Sequence, residues 1–458
     1  MVMIISLIVL VLAGYAIAKN YDAKLVLFAA GFFLLFCAVI LKFVNGDIGD
    51  GGAGNLWVSP LLSIKTSFLN QYAGPGLIIM TLFGFSSYMS HIGANNTAIN
   101  IMTKPISFIR SPHILVPIVF WLGTMLSLVV PSASSLAVIL MATLYPILRA
   151  TGMSSLTAGA VIATTATVAP TPLGGDNIVA AKLLIGPSVT DLNTYVYAHH
   201  ATISLWVIVA MGFVHLFWQW YMDKREGQAA FVDVDESKLE KLENLPPAYY
   251  GLFPILPLIL VLVQWKFFPD VKIGIVEITL FCFALAFLAE VVRKRNIKQL
   301  MKDANLFFSG MGQGFSQVVV LIVAAGTTIM GLNAIGAIDI IANVAKDSPN
   351  AGTGLMFIFS GITAVITFIS GSGNAAFYSF IELIPPIASQ AGVDPIMVSL
   401  PMQLTSNLIR AVSPVSAVVI IVASVMKVSP LRIVKRTAVP LLFGFVMTMV
   451  MAFLKYNS

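Results

Sequence analysis

Charge is scarce in this sequence. Asp, Glu, Lys and Arg make up 10% of its 458 residues, against about 25% in ordinary soluble domains, and that deficit excludes a water-soluble enzyme. Cysteine is nearly absent. Cys37 and Cys282 both lie in apolar runs with no CxxC spacing, so neither a disulfide framework nor a zinc site is expected and both read as inert core or lipid-facing residues. The sequence also lacks an HExxH motif or a nucleophile with a base in reach, which an intramembrane enzyme would need, and nothing in it resembles a repeated channel filter. Its 26 basic and 20 acidic residues leave a net charge of +6 with no basic face or arginine-rich tail, so nucleic acid is not expected as a partner.

What is abundant is apolar length: 58% of the residues are hydrophobic. Stretches able to cross a hydrocarbon core of about 30 Å fall near residues 2–18, 23–43, 74–91, 154–187, 197–221, 250–266, 272–292, 315–334, 394–427 and 437–455, which predicts ten crossings. The first is followed, not preceded, by basic residues, so it reads as a retained membrane helix and not a secretory signal. Two more apolar segments, 114–149 and 353–389, are interrupted by PSASS from Pro131 and SGSGN from Ser370. Each predicts a helix, a tight turn and a returning helix. If both enter and leave by one face, 18 basic residues fall on one side and 7 on the other. The positive-inside rule then puts the richer side in the cytoplasm and both termini outside. The basic residue left over, Arg410, falls inside an apolar span.

The longest hydrophilic linker, Asp223 to Asn244, carries seven acids and four bases and ends at Pro246-Pro247. It divides the chain into a first repeat at 1–222, a cytoplasmic connector at 223–247 and a second repeat at 248–458. An offset of 240 aligns Ser132 with Ser372, Gly152 with Gly392 and Thr165 with Thr405, and an offset of 243 aligns Ile92-Gly93-Ala94 with Ile335-Gly336-Ala337. Five crossings per half is an odd number, so the second half must be inserted upside down. The predicted fold class is an all-α polytopic membrane protein of two inverted repeats, each with a re-entrant hairpin and a Pro-broken helix, the architecture of secondary transporters.

Bare backbone inside hydrocarbon costs several kcal/mol per unsatisfied group, so non-helical stretches at membrane depth need protein or a wet cavity beside them. Four such stretches are predicted: the two hairpin tips, the break APTPLGGD at 169–176 and the break RAVSPVS at 410–416. A helix starting at each break offers free N–H groups and a positive dipole end to an anion, while carbonyls freed before it suit a cation such as Na⁺. The candidate substrate ligands are therefore Ser132, Ser134 and Ser135; Ser372, Gly373 and Asn374; Thr171, Gly174 and Gly175; and Asn407, Arg410 and Ser413. Arg410 stands out, because a guanidinium at a helix centre costs at least ~2.5 kcal/mol unless paired and its fork matches a carboxylate. Its alternative role is a structural pair with Asp176, itself a candidate proton carrier. Further coupling candidates are His91 and Asn95 around the IGA turn and Glu382 on the second hairpin's returning arm. Glu290 is expected to be solvated near a span end, His199 and His200 interfacial, and His215 a core histidine.

With these residues in view, the sequence resembles the DcuC-type anaerobic carriers of four-carbon dicarboxylates, within the wider ion transporter superfamily. The likeness lies in SSYMSHIGANN from Ser86, VILMATLYPIL from Val138, SGSGNAAFYSFIELIP from Ser370 and SNLIRAVSPVSAVVI from Ser406. The resemblance implies succinate–fumarate exchange or succinate efflux in the inner membrane of a bacterium living anaerobically. It also implies an elevator-type homodimer without a cofactor, with Na⁺ or protons as coupling ion. More distant members hold carboxylates, with Na⁺ beside them, on Ser-Asn-Thr at both tips. Those roles would fall on Ser132, Ala133 and Ser134, and on Ser372, Gly373 and Asn374, with Na⁺ near Ser132, Ala133 and Asn374. Ala133 and Gly373 depart from that pattern and leave proton coupling or simple antiport open. Another small organic or inorganic anion, citrate-like or arsenite-like, or cation–proton antiport, is the alternative.

Overall fold

The computed structural model describes all residues except 1, 46–51, 110, 129, 131, 233–244, 272, 347–349 and 457–458. Residues 233–244 of the predicted connector, together with Pro131 of the first tip and Arg110, Lys238, Lys241 and Lys272 of the basic count, therefore lie outside the described residues. The described residues of the first half form α1 (Val2–Ala18), α2 (Ala23–Val44), α3 (Gly52–Gln71), α4 (Leu77–His91), α5 (Ala94–Thr103), α6 (Pro112–Ser127), α7 (Ala133–Ala150), α8 (Ser155–Thr164), α9 (Gly175–Leu184), α10 (Val189–Thr194) and α11 (Ala201–Glu226). The second half adds α12 (Leu256–Phe267), α13 (Ile275–Lys294), α14 (Ile297–Gly314), α15 (Val320–Ala334), α16 (Ala337–Lys346), α17 (Ala351–Ser370), α18 (Gly373–Phe380), α19 (Ile384–Gln390), α20 (Pro395–Arg410), α21 (Ala417–Val425) and α22 (Pro430–Tyr456).

Ten predicted crossings become fewer long ones. Among the described residues seven helices are long and apolar enough to cross a membrane, and an eighth if the bent pair Leu56–His91 and Ala94–Ile106 is one span. The difference lies in spans that are not one long helix. The broken spans are built from short half-helices, α8 with α9 and α20 with α21, and α12 has only 12 residues. Elsewhere helices extend beyond their apolar runs: α3 leads into α4 through a π-helical turn at Tyr72–Gly76, and α14 into α15 through another at Phe315–Val319. Such turns lodge one extra residue per turn and commonly mark functional sites. The turns after α4 and α15 are closed by Gly93 at φ 78° and Gly336 at φ 77°, a left-handed conformation that costs glycine little.

Two groups of helices pack against each other. In one, α4 lies along α14 and α2 along α15; in the other, α17 lies along α20 and α11 along α22, with α8 and α6 beside them. The close approaches use missing side chains, as membrane helices commonly do: a Cβ at Gly84 would stand 2.6 Å from the Phe307 carbonyl, and one at Gly31 2.6 Å from the Thr327 backbone.

Three charged or titratable positions are buried, and two of them, Glu290 and His200, differ from their expected settings. Arg436, counted among the cytoplasmic basic residues, is fully buried, with Nη1 2.5 Å from Asp223 Oδ1 and Nη2 2.8 Å from Glu226 Oε2. Thr157 Oγ1 and Gln219 Oε1 also accept from Nη1, at 3.0 and 3.3 Å. Membership in a basic loop says nothing of burial: residue 436 sits on the inward side of α22, where its fork ties α22 to the end of α11. Glu290 is likewise buried, accepting from Tyr250 Oη at 2.7 Å and paired with Arg293 and Lys294. His200 is buried against Ser204, whereas His199 stacks on Tyr456; His215 is a core residue. Truncating Arg436 to Ala strands two partly buried carboxylates, so a loss of about 3–5 kcal/mol is expected. It should appear as a lowered unfolding midpoint in detergent that neutralising Asp223 and Glu226 in the same chain largely restores.

Candidate functional site

Both tips are helix starts in the structure. Ser132 caps α7, its Oγ accepting from Ser135 N at 3.3 Å and from Ser135 Oγ at 3.0 Å. Ser372 caps α18 by accepting from Ala375 N at 3.2 Å. Serine at such a position satisfies one orphan N–H and leaves neighbouring N–H groups open. Gly371 reverses the chain into α18 at φ 73°. Gly373 sits so close to α20 that a Cβ there would lie 2.2 Å from the Ser406 carbonyl oxygen. The departure from Asn at 373 is thus a packing requirement: the tip rests its backbone on α20.

Between the tips lies a cavity of about 740 Å³. Ser132, Ala133, Ser134 and Ser135 line it from the first half, and Ser372, Gly373, Asn374, Arg410, Ser416 and Ala417 from the second. The starts of α7, α18 and α21 therefore face one space together with a guanidinium, and no carboxylate is among its described lining residues. Arg410 donates through Nη2 to the Ala166 carbonyl. That contact fixes one arm of the fork and leaves it beside the cavity, at the end of α20 where the helix breaks.

The other break is closed from within. Asp176 accepts at Oδ1 from Asn177 N at 3.0 Å and at Oδ2 from Asn407 Nδ2 at 2.8 Å. A carboxylate of the chain itself thus occupies the start of α9, where an acid is favoured. Asn177 donates to the Ala169 and Thr171 carbonyls at 3.1 and 2.9 Å, Gln403 donates to Asn177 Oδ1 at 2.7 Å, and Tyr195 Oη donates to Gln403 at 2.5 Å. These bonds satisfy carbonyls that the break frees and join the two broken spans. Thr171, Gly174, Gly175, Asn407 and Ser413 do not line the cavity: Thr171 and Asn407 belong to the brace behind it, and Ser413 accepts from Val415 N within its own break. Asp176 is held by Asn407, and its Arg410 alternative has no ion pair within 4.0 Å among the described residues.

The coupling candidates are dispersed. His91 Nε2 lies 3.2 Å from Asp303 Oδ1. Asn95 donates to Ser90 Oγ at 2.8 Å, and Ser90 lines the cavity. Glu382 accepts from Gln71 Nε2 at 2.9 Å, outside the cavity. Among the described residues no cluster of three or more His, Cys, Asp or Glu could hold a metal ion. Sequence reasoning missed the opposite wall, formed by Ser86, Ser87 and Ser90 of α4 with Gln313 and Gln317 beside the second π-turn. Polar residues at i and i+4 in an otherwise apolar helix, as in Ser86 with Ser90 and Gln313 with Gln317, are the signal that could have revealed it.

An all-helical, multi-pass chain whose half-helix ends meet at one polar cavity has the form of a membrane transporter. The fold alone is shared with the crystal structure of the YdaH transporter of Alcanivorax borkumensis, at a TM-score of 0.58 and 13% identity over 96% of this chain and 99% of that one. The chain belongs to the DcuC family of C4-dicarboxylate anaerobic carriers, whose family model matches residues 1–457. It is 38% identical over 448 residues to a Vibrio cholerae serotype O1 protein whose name carries the same DcuC designation, covering 97% of this chain and 95% of that protein. It is 34% identical over 450 residues to the anaerobic C4-dicarboxylate transporter DcuC of Escherichia coli K12, covering 98% and 95%. These memberships make it a transporter and not an enzyme. Because the second tip packs its backbone on Ser406, Gly373→Ala should lower transport at least tenfold, while Ala133→Ser at the first tip stays within about twofold; initial rates in proteoliposomes separate the two.

Proposed function

We propose that this chain carries C4-dicarboxylates across a bacterial inner membrane by alternating access, exchanging fumarate for succinate or releasing succinate. The observation that carries the reading is the convergence of three helix starts and Arg410 on one cavity without a lining carboxylate. Helix starts and a guanidinium favour small anions, and two tips reaching in from different halves suit an anion charged at both ends. In this reading Arg410 takes one carboxylate in its fork, and the Ser132–Ser135 and Ser372–Asn374 tips grip the substrate.

The inverted-repeat division at 1–222 and 248–458 has support in matching irregularities. The π-turns at 72–76 and 315–319 and the left-handed glycines 93 and 336 share the 243-residue offset, and the caps Ser132 and Ser372 and the glycines 152 and 392 share the offset of 240. An adjoining cavity of about 370 Å³ joins the second tip to Asn20, Asp22 and Lys24. With that loop assigned to the cytoplasm and both termini to the periplasm, the conformation described is open to the cytoplasm. The α2, α3, α4, α14 and α15 group would form the fixed scaffold of an elevator-type homodimer, and the tips with their broken spans the moving carrier. The coupling ion is a proton or Na⁺.

The test is uptake of labelled succinate into proteoliposomes with internal fumarate varied and pH and Na⁺ gradients imposed separately. Failure of both succinate and fumarate to move under any gradient overturns the assignment. Arg410→Lys, which keeps the charge but loses the fork, is expected to raise the half-saturating succinate concentration at least tenfold, and Arg410→Ala to abolish thermal stabilisation by succinate. Unchanged apparent affinity in the Lys variant would sink the carboxylate-fork role.

A further inference from the structure

Away from the substrate cavity, two charged side chains on the proposed carrier plug into two gaps in the proposed scaffold. Glu382 lies in the 3₁₀ turn Ile381–Leu383 between α18 and α19. Its Oε1 accepts from Gln71 Nε2 at 2.9 Å, and its Oε2 occupies the space a side chain at Gly326 would fill, 2.8 Å from where that Cβ would stand. Lys182, near the end of α9, donates from Nζ to the Asn70 carbonyl at 3.4 Å, and a Cβ at Gly74 would come within 2.1 Å of the same ammonium. Asn70 and Gln71 are consecutive, at the end of α3, and Gly74 is the non-helical residue of the π-turn that follows. Both plugs thus converge on one irregular point of the scaffold, one from each half of the carrier.

Around Gly326 α15 is buried, with Leu321, Ile322, Val323, Ala324 and Ala325 before it and Thr327 and Thr328 after it, whose hydroxyls donate to the Val323 and Leu27 carbonyls and leave no free polar partner along the helix. The carboxyl faces Gln71 and Ser67 from α3, the backbone at Gly326 from α15 and the ammonium of Lys182 from α9, which is the charged group facing it among the described residues. In that socket the hydrogen bond from Gln71 and the Lys182 ammonium offset part of the cost of burying an ionised carboxylate. Moving it off Gln71 and Lys182 along α15 would strip both away, and an unpaired buried charge is strongly unfavourable. Protonation removes the charge and with it most of that barrier.

We propose that Glu382 is the group at which a proton couples to transport: ionised, it latches the carrier to α3 through Gln71 with Lys182 seated alongside, and protonated, it lets the carrier move. The proposal rests on the transport reading above and selects the proton over Na⁺ as coupling ion. Its test uses the full-length protein in proteoliposomes and two modes, succinate–fumarate counter-exchange and net succinate accumulation driven by a pH gradient. Glu382→Gln is expected to keep counter-exchange within about threefold and to lose at least nine-tenths of the pH-driven accumulation. Gly326→Ala, which fills the socket and leaves the carboxylate in the chain, should weaken the same accumulation at least fivefold, so a poorly folding Gln variant does not decide the matter. Full pH-driven accumulation in either well-folded variant overturns the latch, as does wild-type accumulation that follows Na⁺ and ignores pH. Absence of both modes in the wild-type protein overturns the transport reading instead.

Discussion

Everything in this protein turns on backbone that is left without a helical partner inside an apolar surround. Each interruption frees N–H groups on one side and carbonyls on the other, and hydrocarbon offers nothing to satisfy them. The fold answers in two ways. At the tips before α7 and α18 and at the start of α21 the freed N–H groups face a cavity. At the start of α9 they are met by Asp176, and the freed carbonyls of Ala169 and Thr171 by Asn177. One set is kept open for a ligand and the other is closed by the chain itself.

The closed set makes the open set usable. The line from Tyr195 through Gln403 to Asn177, with Asn407 on Asp176 beside it, ties both broken spans into one unit. A hydrogen-bonded network fully satisfied in a low-dielectric interior is stiff, and stiffness is what a site needs if it must keep its shape while moving. Arg410 is held by the Ala166 carbonyl of the other broken span, so the guanidinium belongs to this unit. The tips rest on it as well, Gly373 on Ser406 and Gly371 against Val415 and Ser416. Arg436 performs the corresponding task at the far end, binding α22 to α11 and α8 through Asp223, Glu226 and Thr157.

Much of this was legible in the sequence, because its signals are one-dimensional. Long apolar runs, serine at a break and proline within a span each act over a few residues, and they located the tips, the broken spans and Arg410. The same reasoning did not show how each span is built, because apolarity alone does not reveal where a helix continues past its apolar run, as α14 does into α15, or stops short, as α12 does. It also placed Glu290 in water, since being near a span end and being solvent-exposed are different properties.

The sequence by itself determined that the chain is a multi-pass membrane protein with paired interruptions and one unexplained arginine, because hydropathy and helix-breaking residues are local and additive. Only the tertiary structure decided which interruptions face the cavity and which are braced, and that Ser86, Ser90, Gln313 and Gln317 complete its wall. It likewise decided that Arg410 answers to a carbonyl and Asp176 to Asn407. These pairings join residues more than two hundred positions apart. Which partner a buried polar group finds depends on how close two helices can approach, and glycines such as Gly373 set that distance through contacts no local pattern records.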